Sequence, residues 1–232
     1  MAETVRIPTF DGSQTFPAYV VRPADAPKGA VIVVQEVFGV NPGIRQKAAH
    51  WAALGYLAVA PEVFWRQAEG IDLDADIPEQ FQQAIKHMMA HDFDAGIMDI
   101  EATIHWIRRE AGVAKVGLVG YCMGGKIAYQ AAARTDISAS VGYYGVGIDQ
   151  MLGESHAIAK PLMLHIPTAD HFVLPAAQQA IHAGLDSNPH VTIHDYEGLD
   201  HGFAAEHGVR RDDAGARLAD SRTEAFFAAN LG

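Results

Sequence analysis

Cysteine is almost absent: Cys122 stands alone among 232 residues, so no internal disulfide can form. Burial, metal binding or reactivity must explain that thiol, and a reducing cytoplasm is the expected setting. Long apolar runs are missing too. No stretch reaches the roughly 18 residues that a spanning helix needs, and Met1 to Asp11 lacks the basic start and apolar run of a secretory signal. A soluble, uncleaved chain with no membrane partner is expected. Positive charge is scarce: 17 Lys and Arg against 28 Asp and Glu give a net charge of -11. Phosphate binding wants a basic stripe, and none is present, which argues against nucleic acid as a partner. The same sign mildly repels acidic substrates unless local cations compensate.

What is present is enough for a substantial core. With 49% hydrophobic and 19% charged residues, 232 residues fit one α/β domain spanning 1–232. Apolar runs alternate with helical patterns, which predicts a mostly parallel central sheet with helices on both faces. The start differs: Val5 to Phe10, Asp11-Gly12 and Phe16 to Val21 read as an antiparallel hairpin. Further strands are expected at Ala30 to Val34, Leu57 to Ala60, Lys115 to Gly120, Ser140 to Tyr144, Pro161 to Ile166 and Val191 to Tyr196. Helices are expected at 44–54, from Asp94 to near Gly112, and at Lys126 to Arg134, Pro175 to Leu185 and Ala214 to Ala229. The irregular stretch at about 65–94, with an amphipathic piece from Phe81 to Met89, reads as a small cap over a site. There is no repeat, linker or low-complexity tract.

The chemistry concentrates at Gly120-Tyr121-Cys122-Met123-Gly124-Gly125, between a strand and a helix. A sharp strand-to-helix turn exposes its central residue at the sheet's carboxyl edge, and it needs small neighbours because the turn is strained. A cysteine there is a competent nucleophile, and the following helix N-terminus favours its thiolate. Its partners are expected in the chain order nucleophile, acid, histidine. Asp170 follows one later strand and His201 the next. In these roles His201 takes the thiol proton and returns it to the leaving group, while Asp170 orients the imidazole. The backbone N–H groups of Val37 and Met123 are the expected oxyanion donors. Each residue also has a plainer reading: Cys122 as a small core residue, Asp170 as a turn or helix-cap aspartate, His201 as one of 12 histidines.

Two rival motifs are weaker. Gly120 to Lys126 also reads as the G-x-x-x-x-G-K of a phosphate loop, but Ile127 stands where a hydroxyl must hold magnesium. His165, His171, His194 and His201 sit near strand ends, but no metal-binding spacing supports them. Neither a metal nor another cofactor is expected.

At Gln35-Glu36-Val37-Phe38-Gly39, Lys115 to Cys122, Val141-Gly142-Tyr143-Tyr144-Gly145-Val146-Gly147, Asp170-His171-Phe172-Val173 and His201-Gly202-Phe203-Ala204, the chain strongly resembles the dienelactone hydrolase family. The resemblance implies an α/β-hydrolase fold, the triad Cys122, Asp170 and His201, and an assisting Glu36 that bonds the resting thiol. It also implies a pocket including Phe38, Phe81, Ile85, Met88, Tyr143 and Ala205. The family's arginines for a substrate carboxylate fall at Phe81 and Ala205, where both charges are absent, and Ile85 and Met88 replace aromatic positions. An apolar pocket, poor on dienelactone itself, is therefore expected, unless Arg210, Arg211 or Lys86 compensates. The function read here is hydrolysis of a small ester or lactone through a thioester, the alternative being a thiol-sensing binding protein on a hydrolase scaffold. Oligomeric state is left open, and a monomer would suffice.

Overall fold

The structure is a computed structural model describing Met1–Gly232. Strands β1 (Ala2–Pro8) and β2 (Thr15–Val21) form the antiparallel hairpin. Its turn includes Gly12 at φ 71°, a left-handed conformation that costs glycine little. β3 (Ala30–Val34), β4 (Leu57–Pro61), β5 (Val116–Tyr121), β6 (Ala139–Tyr143), β7 (Leu162–Pro167) and β8 (Val191–Tyr196) complete one sheet in the order β1-β2-β4-β3-β5-β6-β7-β8. β2 meets β4 antiparallel, and every pairing from β4 onward is parallel. This is the α/β-hydrolase fold.

Both faces of the sheet are covered. Along β3, Ala30, Ile32 and Val34 enter one apolar cluster while Val31 and Val33 enter another, as the period of two requires. The first cluster is closed by α2 (Pro78–Met89), α3 (Phe93–Ala111) and α4 (Met123–Arg134). The second is closed by α1 (Pro42–Ala53) and α6 (Asp213–Leu231), and α5 (Pro175–Leu185) packs over a third beside β7. In α3, Ile97, Ile100, Ile104 and Ile107 form the buried stripe that their spacing predicts. Full burial of each such side chain contributes roughly 1.5–3 kcal/mol. The Asp92 carboxylate accepts N–H bonds from Asp94 and Ala95 at the start of α3, and Gly112 at φ 65° ends it.

Three features depart from expectation. α4 begins at Met123, three residues before Lys126, so the turn at Cys122 has no slack. A 3-10 helix over Asp149–Ala157 occupies a stretch without a clear apolar period. Within about 65–94, α2 begins at Pro78, three residues before the expected amphipathic piece at Phe81, and α3 begins at Phe93, while Val63, Phe64 and Trp65 ahead of α2 are buried in the first cluster. No helix is long and apolar enough to cross a membrane.

Candidate active site

The site is assembled where β5 ends. One residue, Cys122, separates β5 from α4, and it adopts φ 55°, ψ -114°. A non-glycine residue in that region carries about 1–3 kcal/mol of strain and persists only when its surroundings impose it. The Cys122 N–H donates to the Tyr143 carbonyl at 3.0 Å, and its own carbonyl accepts from Gly125 N–H at 2.9 Å. Close backbone approach does the rest. A Cβ on Gly120 would lie 1.9 Å from the Gly124 carbonyl oxygen, and one on Gly124 would lie 2.6 Å from that of Val34. The glycines thus let the start of α4 sit directly on the end of β3. Met123 N–H and Val37 N–H, brought to the same edge, have no backbone acceptor.

The strand order delivers the other groups. Glu36 follows β3, which neighbours β5, and Asp170 and His201 lie on the loops after β7 and β8. His201 Nδ1 and Asp170 Oδ2 are 2.9 Å apart, with both side chains buried. Asp170 Oδ1 accepts from the backbone N–H groups of Phe172 and Val173 at 2.8 and 3.0 Å. His201 Nε2 lies beside Cys122 and is buried without a well-formed hydrogen bond. Burial works against the imidazolium, but the Cys122 sulfur's charge and the bond to Asp170 outweigh it and raise the His201 pKa to about 10. Burial raises Glu36 above the usual carboxylate range, opposed by the charges of His201, Arg210 and Lys47 and by the approach of the Tyr144 hydroxyl.

A cleft of about 340 Å³ opens next to this set, walled by Glu36, Phe38, Tyr144, Ala204, Ala205 and Arg210. Phe38 and Ala205, two of the expected pocket residues, line this cleft. Phe81 reaches the wall with its ring tilted against Phe38, 5.9 Å between ring centres, and 5.4 Å from the Arg210 guanidinium. Ile85 and Met88 do not line the cleft: Ile85 is partly buried on α2, and Met88 packs against the first apolar cluster. Tyr143 needs correcting. Strand alternation turns its ring into the second cluster, where its hydroxyl bonds Asp220 at 2.9 Å and Thr223 at 2.7 Å. Its neighbour Tyr144 faces the cleft instead, at φ 40°, with its ring edge-on to His201 at 4.8 Å. The pair of tyrosines at the end of β6 was a signal, but not one that says which of them turns toward the cleft.

Among the candidate cations, only Arg210 reaches the cleft. Arg211 is bonded to Asp213 and to the Ala205 carbonyl, and Lys86 is exposed on α2. The Arg210 stem passes over Gly202, where a Cβ would meet it at 3.3 Å, and its guanidinium lies 5.8 Å from the Phe172 ring. It forms no ion pair. Asp72, Asp74 and Asp76 line another part of the cleft, so its charge is polarised.

The histidines of the metal alternative do not converge. His165 has both nitrogens within bonding distance of hydroxyls, Tyr196 at 2.7 Å and Thr223 at 2.9 Å. Asp170, His171 and Asp200 place ligand-type atoms within 4.8 Å of one another, but each is already engaged in bonds that tie together the loops after β7 and β8.

Residues 16–231 match the family described as Dienelactone hydrolase family. The chain is 38% identical over 229 residues to a carboxymethylenebutenolidase of Pseudomonas putida, covering 98% of this chain and 97% of the relative. It is 33% identical over 224 residues to carboxymethylenebutenolidase 1 of Cupriavidus pinatubonensis, covering 96% and 95%. A crystal structure from Klebsiella pneumoniae assigned to the dienelactone hydrolases superposes with a TM-score of 0.84 at 28% identity, covering 98% of each chain. A dienelactone hydrolase-like promiscuous phosphotriesterase from metagenomic libraries has the same fold, with a TM-score of 0.78 at 18% identity over 100% of this chain and 99% of that one.

Proposed function

Because the chain belongs to the dienelactone hydrolase family and is an ester or lactone hydrolase, we propose that it cleaves its substrate through a thioester on Cys122. His201 withdraws the thiol proton, and the sulfur attacks the substrate carbonyl carbon. The resulting oxyanion is held by the N–H groups of Val37 and Met123. Collapse breaks the carbon–oxygen bond, and His201 passes its proton to the departing alkoxide. Water, deprotonated by His201, then attacks the thioester, releasing the acid, and the sulfur recovers a proton. Asp170 orients the ring throughout, and Glu36 tunes the charge beside it. The observation that carries this reading is a buried imidazole, fixed by Asp170 at 2.9 Å, whose free nitrogen lies beside a sulfur on a strained turn.

Arg210 supports a substrate with a carboxylate at the Arg210 end of the cleft. Its unpaired guanidinium supplies the charge missing at Phe81 and Ala205 from another direction, contrary to the apolar pocket expected above. The enzyme is read as cytoplasmic, acting on small molecules as one α/β domain with α2 as its cap.

Stopped-flow hydrolysis of a short p-nitrophenyl ester should show a burst, and mass spectrometry of the quenched enzyme should find the acyl group on Cys122. Full turnover by a folded Cys122→Ala variant would refute the mechanism. The reactive thiol also suits the sensor reading, which predicts rapid alkylation at neutral pH with no turnover of any activated ester.

A further inference from the structure

The triad loops contain the same dipeptide twice, Asp170-His171 and Asp200-His201, and the structure pairs them crosswise. Asp170 takes His201, and Asp200 takes His171. The first pair is buried and belongs to the reaction proposed above. The second is half-exposed, and its histidine bonds no other residue. Its carboxylate does more than meet a ring. Asp200 Oδ1 accepts from His171 Nδ1 at 2.7 Å, from the His171 N–H at 3.1 Å and from the His201 N–H at 2.6 Å.

One oxygen therefore joins the residue after the triad acid to the backbone of the triad histidine itself. Other bonds join the bases of the two loops: Thr168 N–H to the Tyr196 carbonyl, Ala169 N–H to the Leu199 carbonyl, and Gly198 N–H to Thr168 Oγ1. None of those reaches Asp170 or His201. Partial burial pushes the Asp200 carboxylate up, and the bonds from His171 and His201 outweigh it, holding it below its ordinary value. The His201 ring is further confined by Phe172, edge-on at 4.8 Å, so the residue on the far side of His171 also touches it.

We propose that Asp200 is a positioning residue that, with His171, clamps the loop after β7 to the loop after β8 and so sets the angle at which His201 presents Nε2 to Cys122. The proposal rests on the triad reading, but Asp200 touches neither substrate nor sulfur. Removing it should cost geometry and leave the reacting groups intact.

The test compares Asp200→Ala, Asp200→Asn and His201→Asn in the full-length protein. Asp200→Ala should lower kcat on the order of 10- to 100-fold, the cost of a misplaced catalytic group, with KM within about twofold. It should also lower the His201 ring pKa read by NMR relative to wild type, because the ring loses registry with Cys122 and Asp170. Asp200→Asn keeps an oxygen that accepts the two N–H bonds and should recover most of both. A purely structural role would lower the melting temperature and leave the His201 titration and kcat in place, and that result overturns the proposal. If Asp200→Ala does not fold, His171→Ala provides the second reading. It should lower kcat several-fold, and an unchanged kcat there overturns the clamp. Wild-type turnover in His201→Asn would instead bring down the triad itself, so the two failures are distinguishable.

Discussion

The turn at Cys122 and the mouth of the cleft lie side by side and are built on opposite principles. At the turn, backbone meets backbone so closely that no side chain fits on Gly120 or Gly124, and one conformation is enforced. At the mouth, Arg210, Phe172 and Phe81 meet through ring faces and a long flexible stem, with no ion pair to fix them. The first region holds the proposed chemistry, where a small misplacement is costly. The second holds the guanidinium proposed to select substrates, and it meets the first where Phe172 lies edge-on to the His201 ring.

The sharpest way to break that contrast is Cys122→Ala. It should reduce ester turnover by orders of magnitude with circular dichroism unchanged, and adding His201→Asn should cost little more, because the proposed triad acts as a unit. A second measurement follows the charge. In Cys122→Ser the sulfur that takes up negative charge when His201 holds the proton is gone, so the raised His201 pKa should fall toward the ordinary imidazole value near 6.5, read by NMR. The sign for stability follows from the raised wild-type value. The contribution from this proton is complete below about pH 6.5 and is lost as pH rises through about 10, so the variant should lose less stability than wild type across that interval.

Gly120→Ala probes the turn without replacing any residue of the proposed triad. Its Cβ would overlap the Gly124 carbonyl, and such overpacking should cost about 3 kcal/mol in urea unfolding and distort the nucleophile. At the mouth, Arg210→Ala should lower kcat/KM about tenfold for a carboxylate-bearing ester and leave a neutral ester nearly unchanged, equivalent to about 1.4 kcal/mol. Equal losses on both substrates would assign Arg210 to the reaction centre and erase the distinction between the regions.

The same division explains what was legible in the sequence. β3, α5 and β8 fall at their expected boundaries, because runs such as Ala30 to Val34 and a proline at the start of α5 are local signals. Cys122, Asp170 and His201 were identifiable as candidates because a glycine-flanked turn and chain order are written locally as well. The start of α4 was not, because Met123-Gly124-Gly125 has the composition of a loop, and only contact with β3 explains those glycines. The inward turn of Tyr144 rather than Tyr143, the entry of Arg210 into the cleft and the grip of Asp200 on two loops all depend on side-chain directions. Those are decided by packing across elements distant in the chain.

At position 202 the absence of a side chain leaves a lane, and the stem of Arg210 runs along it. A methyl group there, on a residue already at φ 80°, would crowd that stem and move the guanidinium at its far end. The electrical preference proposed for the entrance is thus adjustable from a residue that bears no charge. Selection for new substrates has a route there that replaces neither the sulfur, the imidazole nor the carboxylate.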